Sequence, residues 1–122
     1  MGKKILHCDD TAEIRVRVKS LLEAEGFEVI TARDGKEALE KFQSTPDILL
    51  VISDVIMPNM TGIELLKALK ADPKNGDLPI LMLSSDVHPA QIQRAKKAGM
   101  IGWLKKPYED KDLIATVRKL AG

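Results

Sequence analysis

Short apolar runs that resemble buried strands alternate five times with segments of helical periodicity, and this alternation constrains the fold most strongly. The predicted strands are residues 3–8, 27–31, 48–52, 80–83 and 101–104. Apolar residues recur at helical spacing after each strand, over 14–22, 38–42, 63–69, 92–98 and 113–120. Strands that alternate with helices form a mostly parallel sheet covered on both faces. The sequence therefore predicts one α/β domain, a (βα)5 doubly wound parallel sheet of five strands.

The third strand carries the most informative side chain. Five aliphatic residues, Ile48 to Ile52, precede Ser53 and Asp54, and such a run predicts a strand that is buried on both faces. A carboxylate directly after it lies at the carboxyl edge of the sheet, where open α/β sheets bind ligands. Right-handed crossovers bring the ends of all five strands to this edge. Asp54 is therefore the first candidate for a functional residue.

Polar residues follow three other strands at the same edge: Asp9 and Asp10 after the first, Ser84 after the fourth and Lys106 after the fifth. Three carboxylates repel one another and raise their pKa values unless a cation compensates, and Mg²⁺ prefers such oxygen ligands. A metal, an ammonium and a hydroxyl around one carboxylate can stabilise a transferring phosphoryl group. Carboxylates also accept such groups covalently. Asp54 is therefore interpreted as a phosphoryl acceptor.

The first helix shows how its two faces are expected to divide. Asp10 or Thr11 can cap its beginning, and Gly26 ends it. Its inner face is predicted to carry Ile14, Val18, Leu21 and Leu22, and its outer face Arg15, Lys19 and Glu23. The fourth helix, from His88 to Ala98, has an apolar side made mostly of alanine, and this weak packing suits an element that moves.

Composition and charge narrow the classes of function. A net charge of +1 gives no field that favours nucleic acid or a membrane surface. The beginning of the chain is too short for a signal peptide, and no stretch is long and apolar enough for a membrane span. Cys8 is the one cysteine, which excludes an internal disulfide and fits a reducing compartment. We therefore expect a cytoplasmic, single domain over residues 1–122 with no output domain.

Over essentially its whole length, the sequence resembles a response-regulator receiver domain of two-component signalling, of the chemotaxis-regulator-like kind. The matching motifs are Asp9-Asp10, Asp54 with Met57-Pro58 and Gly62 behind it, Leu83-Ser84-Ser85, and Lys106-Pro107. Each motif is weak by itself, but their order and their positions at strand ends make the combination specific. The resemblance implies the flavodoxin-like strand order 2-1-3-4-5.

The resemblance also implies how the site is built. Asp54 would take a phosphoryl group from a phosphohistidine of a sensor kinase or a phosphotransfer protein. Asp10, Asp54 and the backbone carbonyl of Ile56 would bind Mg²⁺ directly, and Asp9 would act mostly through water. The chain would then be a phosphoacceptor that assists its own phosphorylation and dephosphorylation, with Mg²⁺ as its cofactor.

A switch is implied by three further residues. Lys106 would pair with Asp54 and then with the phosphoryl oxygens, and Ser84 would move toward the phosphoryl group. Trp103 occupies the place of the rotating aromatic residue in this family. The face formed by the fourth helix, the fifth strand and the fifth helix would change shape for a downstream protein target. The chain would be a monomer or a weak dimer through that face.

Some positions depart from the usual pattern of the family. Trp103 is bulkier than the usual tyrosine or phenylalanine, and His7 and Cys8 stand where aliphatic residues are common. His7 and Cys8 are adjacent on a strand, so their side chains point to opposite faces, and both are interpreted as core residues rather than metal ligands. Ile56 and Asp86 stand at positions that, in the family that the sequence resembles, tune the lifetime of the phosphoryl group.

Three alternatives remain open at this point. A Mg²⁺-dependent phosphatase of the haloacid-dehalogenase type also uses a strand-end aspartate, but its Asp-x-Asp-x-Thr motif after the first strand does not fit Asp9-Asp10-Thr11. A flavodoxin-like binding module needs a phosphate loop rich in Ser, Thr or Gly at that place, and two aspartates there would repel a phosphate. A degenerate receiver would serve only as an interaction module.

Overall fold

A computed structural model describes residues 2–85 and 88–121 of the chain. These residues contain five strands in one sheet: β1 (Lys4–Cys8), β2 (Glu28–Ala32), β3 (Ile48–Asp54), β4 (Ile80–Ser84) and β5 (Gly102–Lys105). All four pairings between neighbouring strands are parallel, and the order is β2-β1-β3-β4-β5. The predicted fold class and strand order are thus confirmed, and each predicted strand end is correct to within one or two residues.

Five α-helices connect and cover the strands. They are α1 (Ala12–Glu23), α2 (Gly35–Ser44), α3 (Gly62–Lys70), α4 (Pro89–Ala98) and α5 (Asp110–Ala121), with a 3₁₀ turn at Pro73–Asn75. None of the helices in the described residues is long and apolar enough to cross a membrane.

Two hydrophobic clusters lie on opposite faces of the sheet, so the sheet is doubly wound. On one face, α2, α3 and α4 pack on the sheet through residues such as Ala38, Leu66 and Ala95. On the other face, α1 and α5 pack through residues such as Leu22 and Val117. Because both faces are covered, the strand ends are the places where polar side chains can meet.

The buried third strand differs from its prediction at one residue. Leu49 is 42% exposed, although its neighbours Ile48 and Leu50 are buried. The pairing of β1 with β3 is irregular there, because Lys4 pairs with Ile48 and Ile5 pairs with Leu50. Leu49 is therefore an extra residue in the ladder at the amino end of β3, and the prediction of burial on both faces is wrong for it.

The N-termini of the helices differ in whether a side chain caps them. Thr61 and Glu64 form a reciprocal capping box at the start of α3, and the Asp34 carboxylate accepts the Glu37 N–H at the start of α2. Thr11 occupies the N-cap position of α1, but its side chain makes no capping hydrogen bond. Of the two expected caps, Asp10 and Thr11, the structure thus has Thr11 at the N-cap position, and its N–H donates to the Asp9 carboxylate at 2.9 Å.

Candidate functional site

Four of the predicted polar residues lie at the carboxyl edge of the sheet. Asp9 follows β1, Asp54 and Ser84 are the last residues of β3 and β4, and Lys106 follows β5. Since the strands are parallel, these ends lie side by side. The topology thus places residues that are far apart in sequence around one small region.

Asp9, Asp10 and Asp54 form an acidic cluster at this edge. One oxygen atom from each carboxylate lies within 4.8 Å of the others. Asp9 is fully buried, Asp10 is exposed, and the Asp54 side chain is 16% exposed. Mg²⁺ holds oxygen ligands at about 2.1 Å, so two ligands on opposite sides are about 4 Å apart. The spacing of the three carboxylates is therefore of the order found around one bound cation, and Asp10 lies on the exposed side of the cluster.

The Lys106 ammonium bridges two of these carboxylates. Its Nζ lies 3.1 Å from Asp54 Oδ2 and 3.2 Å from Asp9 Oδ2. The contact with Asp54 was expected from the sequence, but the contact with Asp9 was not. Three carboxylates against one ammonium leave an excess of two negative charges within the cluster, which is the charge that a divalent cation balances.

Burial and neighbouring charges shift the pKa values of the pair. Burial raises the pKa of the Asp54 carboxyl, Asp9 raises it further, and the Lys106 ammonium offsets only part of this effect. Burial lowers the pKa of Lys106, but the charges of Asp54 and Asp9 and their hydrogen bonds outweigh it, so the pKa is raised. Lys106 therefore keeps its proton at neutral pH, while Asp54 has a higher proton affinity than an exposed aspartate.

Asp9 is held by main-chain and side-chain contacts on several sides. Its N–H donates to the Ala32 carbonyl at 3.0 Å, and its Oδ1 accepts the Thr11 N–H. Its carbonyl accepts a hydrogen bond from Arg15 Nη1 at 2.7 Å. Arg15 was predicted on the outer face of α1, and this is wrong, because its partly buried side chain reaches back to the end of β1.

The loop from β3 to α3 is fixed next to Asp54. The Val55 N–H donates to Asp54 Oδ1 at 2.7 Å, and the Gly62 N–H donates to the Val55 carbonyl at 2.8 Å. A Cβ atom at Gly62 would lie 2.1 Å from the Asp54 carbonyl oxygen, so only glycine permits this approach. The Ile56 side chain is 59% exposed in this loop, and the role of its carbonyl as a metal ligand stays a prediction.

Asn59 fastens the middle of the same loop to α2. Its φ is 67°, in the left-handed region, and its Nδ2 donates to Asp34 Oδ2 at 2.9 Å. The carboxylate of Asp34 therefore caps α2 with one oxygen atom and holds the loop with the other. These hydrogen bonds lower the pKa of Asp34.

Ser84 and Trp103, the two predicted switch residues, lie on the neighbouring strands β4 and β5. Ser84 is buried, and its carbonyl accepts the Lys106 N–H at 2.9 Å. Trp103 pairs in register with Met82, and Met82 pairs with Ser53, the residue before Asp54. The half-buried Trp103 packs against the hydrophobic cluster that lies between the sheet and helices α2, α3 and α4. Asp86, the other position expected to tune phosphoryl lifetime, lies outside the described residues.

His7 and Cys8 are both fully buried, as their interpretation as core residues requires. Burial raises the pKa of the Cys8 thiol to about 12, and its Sγ lies 3.1 Å from Met57 Sδ. Burial lowers the pKa of His7 to about 4, and neither of its ring nitrogens has a hydrogen-bond partner among the described residues. His7 is therefore neutral at pH 7, and Cys8 is a protonated thiol.

Comparison with known proteins identifies the class that this fold and site define. Residues 5–118 match the response regulator receiver domain, so the chain belongs to this family of two-component signalling domains. Members of the family interact with histidine kinases or phosphotransfer proteins and bind Mg²⁺ through acidic residues.

Particular relatives are similar along most of the chain. The transcriptional regulatory protein CpxR of Escherichia coli (strain K12) is 38% identical over 117 residues, which are 96% of this chain and 48% of CpxR. The chemotaxis protein CheY1 of Helicobacter pylori is 35% identical over 106 residues, 86% of each chain. The solved structure of the chemotaxis protein CheY4 of Vibrio cholerae superposes with a TM-score of 0.92 at 40% identity and covers 98% of this chain and 99% of that one. The chain thus spans about half the length of the CpxR relatives.

Proposed function

We propose that the chain is a phosphoacceptor response regulator in which Asp54 takes a phosphoryl group from a phosphohistidine of a sensor kinase or phosphotransfer protein. The observation that carries the proposal is the Lys106 ammonium, which bridges Asp54 and Asp9 at the edge of the acidic cluster. In a receiver domain, such an arrangement supplies a nucleophile, a fixed cation and the ligands for Mg²⁺.

Asp54 is oriented before a donor arrives. The Val55 N–H holds its Oδ1, and the Lys106 ammonium holds its Oδ2. In the transfer, a carboxylate oxygen of Asp54 forms a bond to phosphorus while the bond from phosphorus to the donor imidazole nitrogen breaks, and the electron pair stays on that nitrogen. A fixed carboxylate reacts faster because less orientational freedom is lost in the transition state.

Asp10, Asp54 and the Ile56 carbonyl would hold the magnesium ion directly, and the buried Asp9 would hold it through water. When bound, Mg²⁺ supplies positive charge that offsets the charge on the phosphoryl oxygens. Lys106 is already beside Asp54, so its ammonium needs only a small movement to contact a phosphoryl oxygen. The excess negative charge of the cluster supports this assignment.

The new phosphoryl group would act as a switch. It adds roughly −1.5 to −2 charges and three acceptor oxygens, which Ser84 and Lys106 can satisfy by moving inward. Ser84 lies two residues after Met82 on β4, and Met82 pairs with Trp103 on β5. Movement of Ser84 would therefore change the space next to Trp103. The face of α4, β5 and α5 would then present a different shape to a downstream protein, with the chain as a monomer or a weak dimer through that face.

The partner, the location and the domain content belong to the same proposal. The donor is a phosphohistidine protein, and the location is cytoplasmic, which one buried thiol fits. We propose a receiver domain over residues 1–122 that does not bind nucleic acid itself. Family membership leaves a degenerate receiver, which only binds partners, as the alternative to test.

Phosphorylation by a small donor separates these two functions. With Mg²⁺ and acetyl phosphate, we expect a mass increase of one phosphoryl group on the wild-type chain and a change in Trp103 fluorescence with beryllofluoride. Asp54→Ala abolishes both. A phosphoryl adduct that survives Asp54→Ala overturns the assignment of Asp54, and a wild-type chain without an adduct indicates a degenerate receiver. Steady turnover of a small phosphate ester would favour the phosphatase.

A further inference from the structure

We propose that Arg15 is a positioning residue for the metal site: its guanidinium fixes the peptide between Asp9 and Asp10 and so aims the Asp10 carboxylate. This inference rests on the proposed function, because it takes Asp10 to be a ligand of Mg²⁺. It concerns a residue of α1 that touches neither the expected ion nor the phosphoryl group.

The contact that carries the inference closes a loop between α1 and β1. Arg15 Nη1 donates to the Asp9 carbonyl at 2.7 Å, and the Arg15 N–H donates to the Thr11 carbonyl at 3.0 Å. The main chain of Arg15 is therefore fixed by the first turn of α1 while its side chain returns to the end of β1. A hydrogen bond from a charged donor is roughly twice as strong as one between neutral groups.

The bonded carbonyl belongs to the peptide unit that joins the two aspartates. Every other polar group of Asp9 already has a partner: its N–H contacts Ala32, its Oδ1 contacts Thr11, and its Oδ2 contacts Lys106. The Asp9 carbonyl is the remaining polar group, and Arg15 donates a hydrogen bond to it. Asp9 and the peptide that follows it are therefore held in one orientation.

Asp10 depends on this peptide because little else restrains it. Its side chain is exposed, and within residues 2–85 and 88–121 its carboxylate accepts no hydrogen bond. The direction of the Asp10 side chain is therefore set by its own backbone, which begins at the peptide that Arg15 holds. Loss of the Arg15 contact would let this peptide rotate and carry the Asp10 carboxylate away from Asp54.

Charge and position predict opposite results, and this makes the inference testable. Arg15 is a cation close to the acidic cluster, so its charge alone repels Mg²⁺, and its removal would tighten Mg²⁺ binding a few-fold. If Arg15 positions Asp10, its removal weakens Mg²⁺ binding in spite of that gain. Residues that orient metal ligands typically change metal affinity by roughly 10-fold or more when they are replaced.

The experiment compares Arg15→Met with Arg17→Met by calorimetric titration of the whole chain with Mg²⁺. Arg17 is the matched control, because it lies on the same helix, is 65% exposed and pairs with Asp110 rather than with Asp9. We expect an affinity about 10-fold weaker for Arg15→Met, an unchanged or slightly tighter one for Arg17→Met, and a value between wild type and Arg15→Met for Arg15→Lys. Unchanged or tighter binding by Arg15→Met overturns the inference.

A measurement without metal separates this inference from the proposed function. In Mg²⁺-free protein, Arg15→Met should shift the NMR resonances of the Asp9 carbonyl carbon and the Asp10 amide, whereas Arg17→Met should leave them in place. Unshifted resonances overturn the role of Arg15 whatever the metal does. A wild-type chain that binds no Mg²⁺ overturns the metal assignment instead. If Arg15→Met does not fold, Arg15→Lys is compared with Arg17→Lys by the same two readouts.

Discussion

Lys106 is the residue whose contacts bind the candidate site together. Among the described residues, its ammonium is the one cation that contacts the side-chain carboxylates of both Asp54 and the fully buried Asp9. Removing one partner of a buried ion pair leaves a charge that is neither solvated nor compensated, which costs about 3–5 kcal/mol. Stability and the proposed chemistry thus depend on the same side chain.

Replacement of Lys106 by Met should therefore lower the free energy of unfolding by about 3 kcal/mol in EDTA. Added Mg²⁺ should restore part of the loss, because a bound cation compensates the same carboxylates. Urea unfolding with and without Mg²⁺ measures both effects. Lys105→Met is the control, since Lys105 is exposed and forms no ion pair with the described residues. Equal losses in the two variants would contradict the bridging role of Lys106.

His7 gives the domain a pH dependence of its own, set mainly by its burial. Its folded-state pKa is about 4, below the ordinary value of 6.5, because burial disfavours the charged ring. The unfolded chain therefore binds more protons than the folded one between these values, so stability falls as the pH falls from 6.5 to 4. The total is on the order of 3 kcal/mol.

His7→Leu should remove this part of the pH dependence. The raised pKa of Asp54 acts with the opposite sign, since it adds stability as the pH falls, but it is common to both proteins and cancels in their difference. We expect similar stability at pH 7, because the ring nitrogens have no described partner to lose, and a more stable variant at pH 4.5. Urea unfolding from pH 4.5 to 7.5 tests this. Parallel curves for the two proteins would rule out a buried, neutral His7 in the folded state.

At the scale of one element, Lys70 at the end of α3 donates all of its described side-chain hydrogen bonds to main-chain carbonyls. Lys70 Nζ donates to the carbonyls of Asn75, Gly76 and Leu78 at 3.0, 3.0 and 2.7 Å. The ammonium thus binds three carbonyls of the loop between α3 and β4 and fixes the conformation of that loop. Hydrogen bonds from charged donors contribute about 1.5–3 kcal/mol each at most, and less where water reaches them.

Lys70→Met should lower the free energy of unfolding by about 2 kcal/mol, because three carbonyls lose a charged donor together. Amide hydrogen exchange should speed up more in the loop over 71–79 than in β1, because the core amides of β1 open only by global unfolding and report only the global loss of stability. Lys67→Met is the control, since Lys67 lies on the same helix, is exposed and makes no described hydrogen bond. Exchange that speeds up by the same factor in the loop and in the sheet would show a purely global effect and would refute a local role for Lys70.

Helices and strands were predicted well from repeating patterns of apolar residues. The predictions failed at single residues whose position depends on a contact with another element. The five strands followed from their apolar runs, because burial on both faces of a sheet demands continuous apolar residues. Leu49 was missed, because a bulge depends on register with β1 and not on the strand itself. Arg15 was missed, because a helical wheel assigns it to the outer face although its side chain is long enough to reach β1.

For the candidate site, the residues were predicted correctly, but their burial and some of their contacts were not. Asp9, Asp10, Asp54 and Lys106 were found because parallel topology brings strand ends to one edge. Two adjacent aspartates give no sign of which one is buried, so neither the complete burial of Asp9 nor its contact with Lys106 was predicted. These properties depend on the conformation of the turn from β1 to α1.

At the scale of the whole molecule, negative charge is concentrated at the carboxyl end of the sheet. The carboxyl end holds carboxylates in excess of ammonium groups, and the free energy of that repulsion is a cost for the metal-free fold. A ligand that binds only the folded state stabilises it by an amount that grows with concentration, about 1.4 kcal/mol at ten times its dissociation constant. The unfolding temperature of the whole domain should therefore rise as a cation binds at the carboxyl edge of the sheet.

Mg²⁺ should accordingly raise the unfolding temperature of the wild-type chain by roughly 3–6 °C at ten times its dissociation constant. The same ionic strength supplied as NaCl should give much less, because screening does not replace ligation. Asp10→Asn should remove most of the Mg²⁺ effect, whereas Asp77→Asn should preserve it, because Asp77 is exposed in the loop before β4, at the opposite end of the sheet. Calorimetry of the three proteins decides the point: a Mg²⁺ effect of equal size in both variants would mean that the ion binds elsewhere.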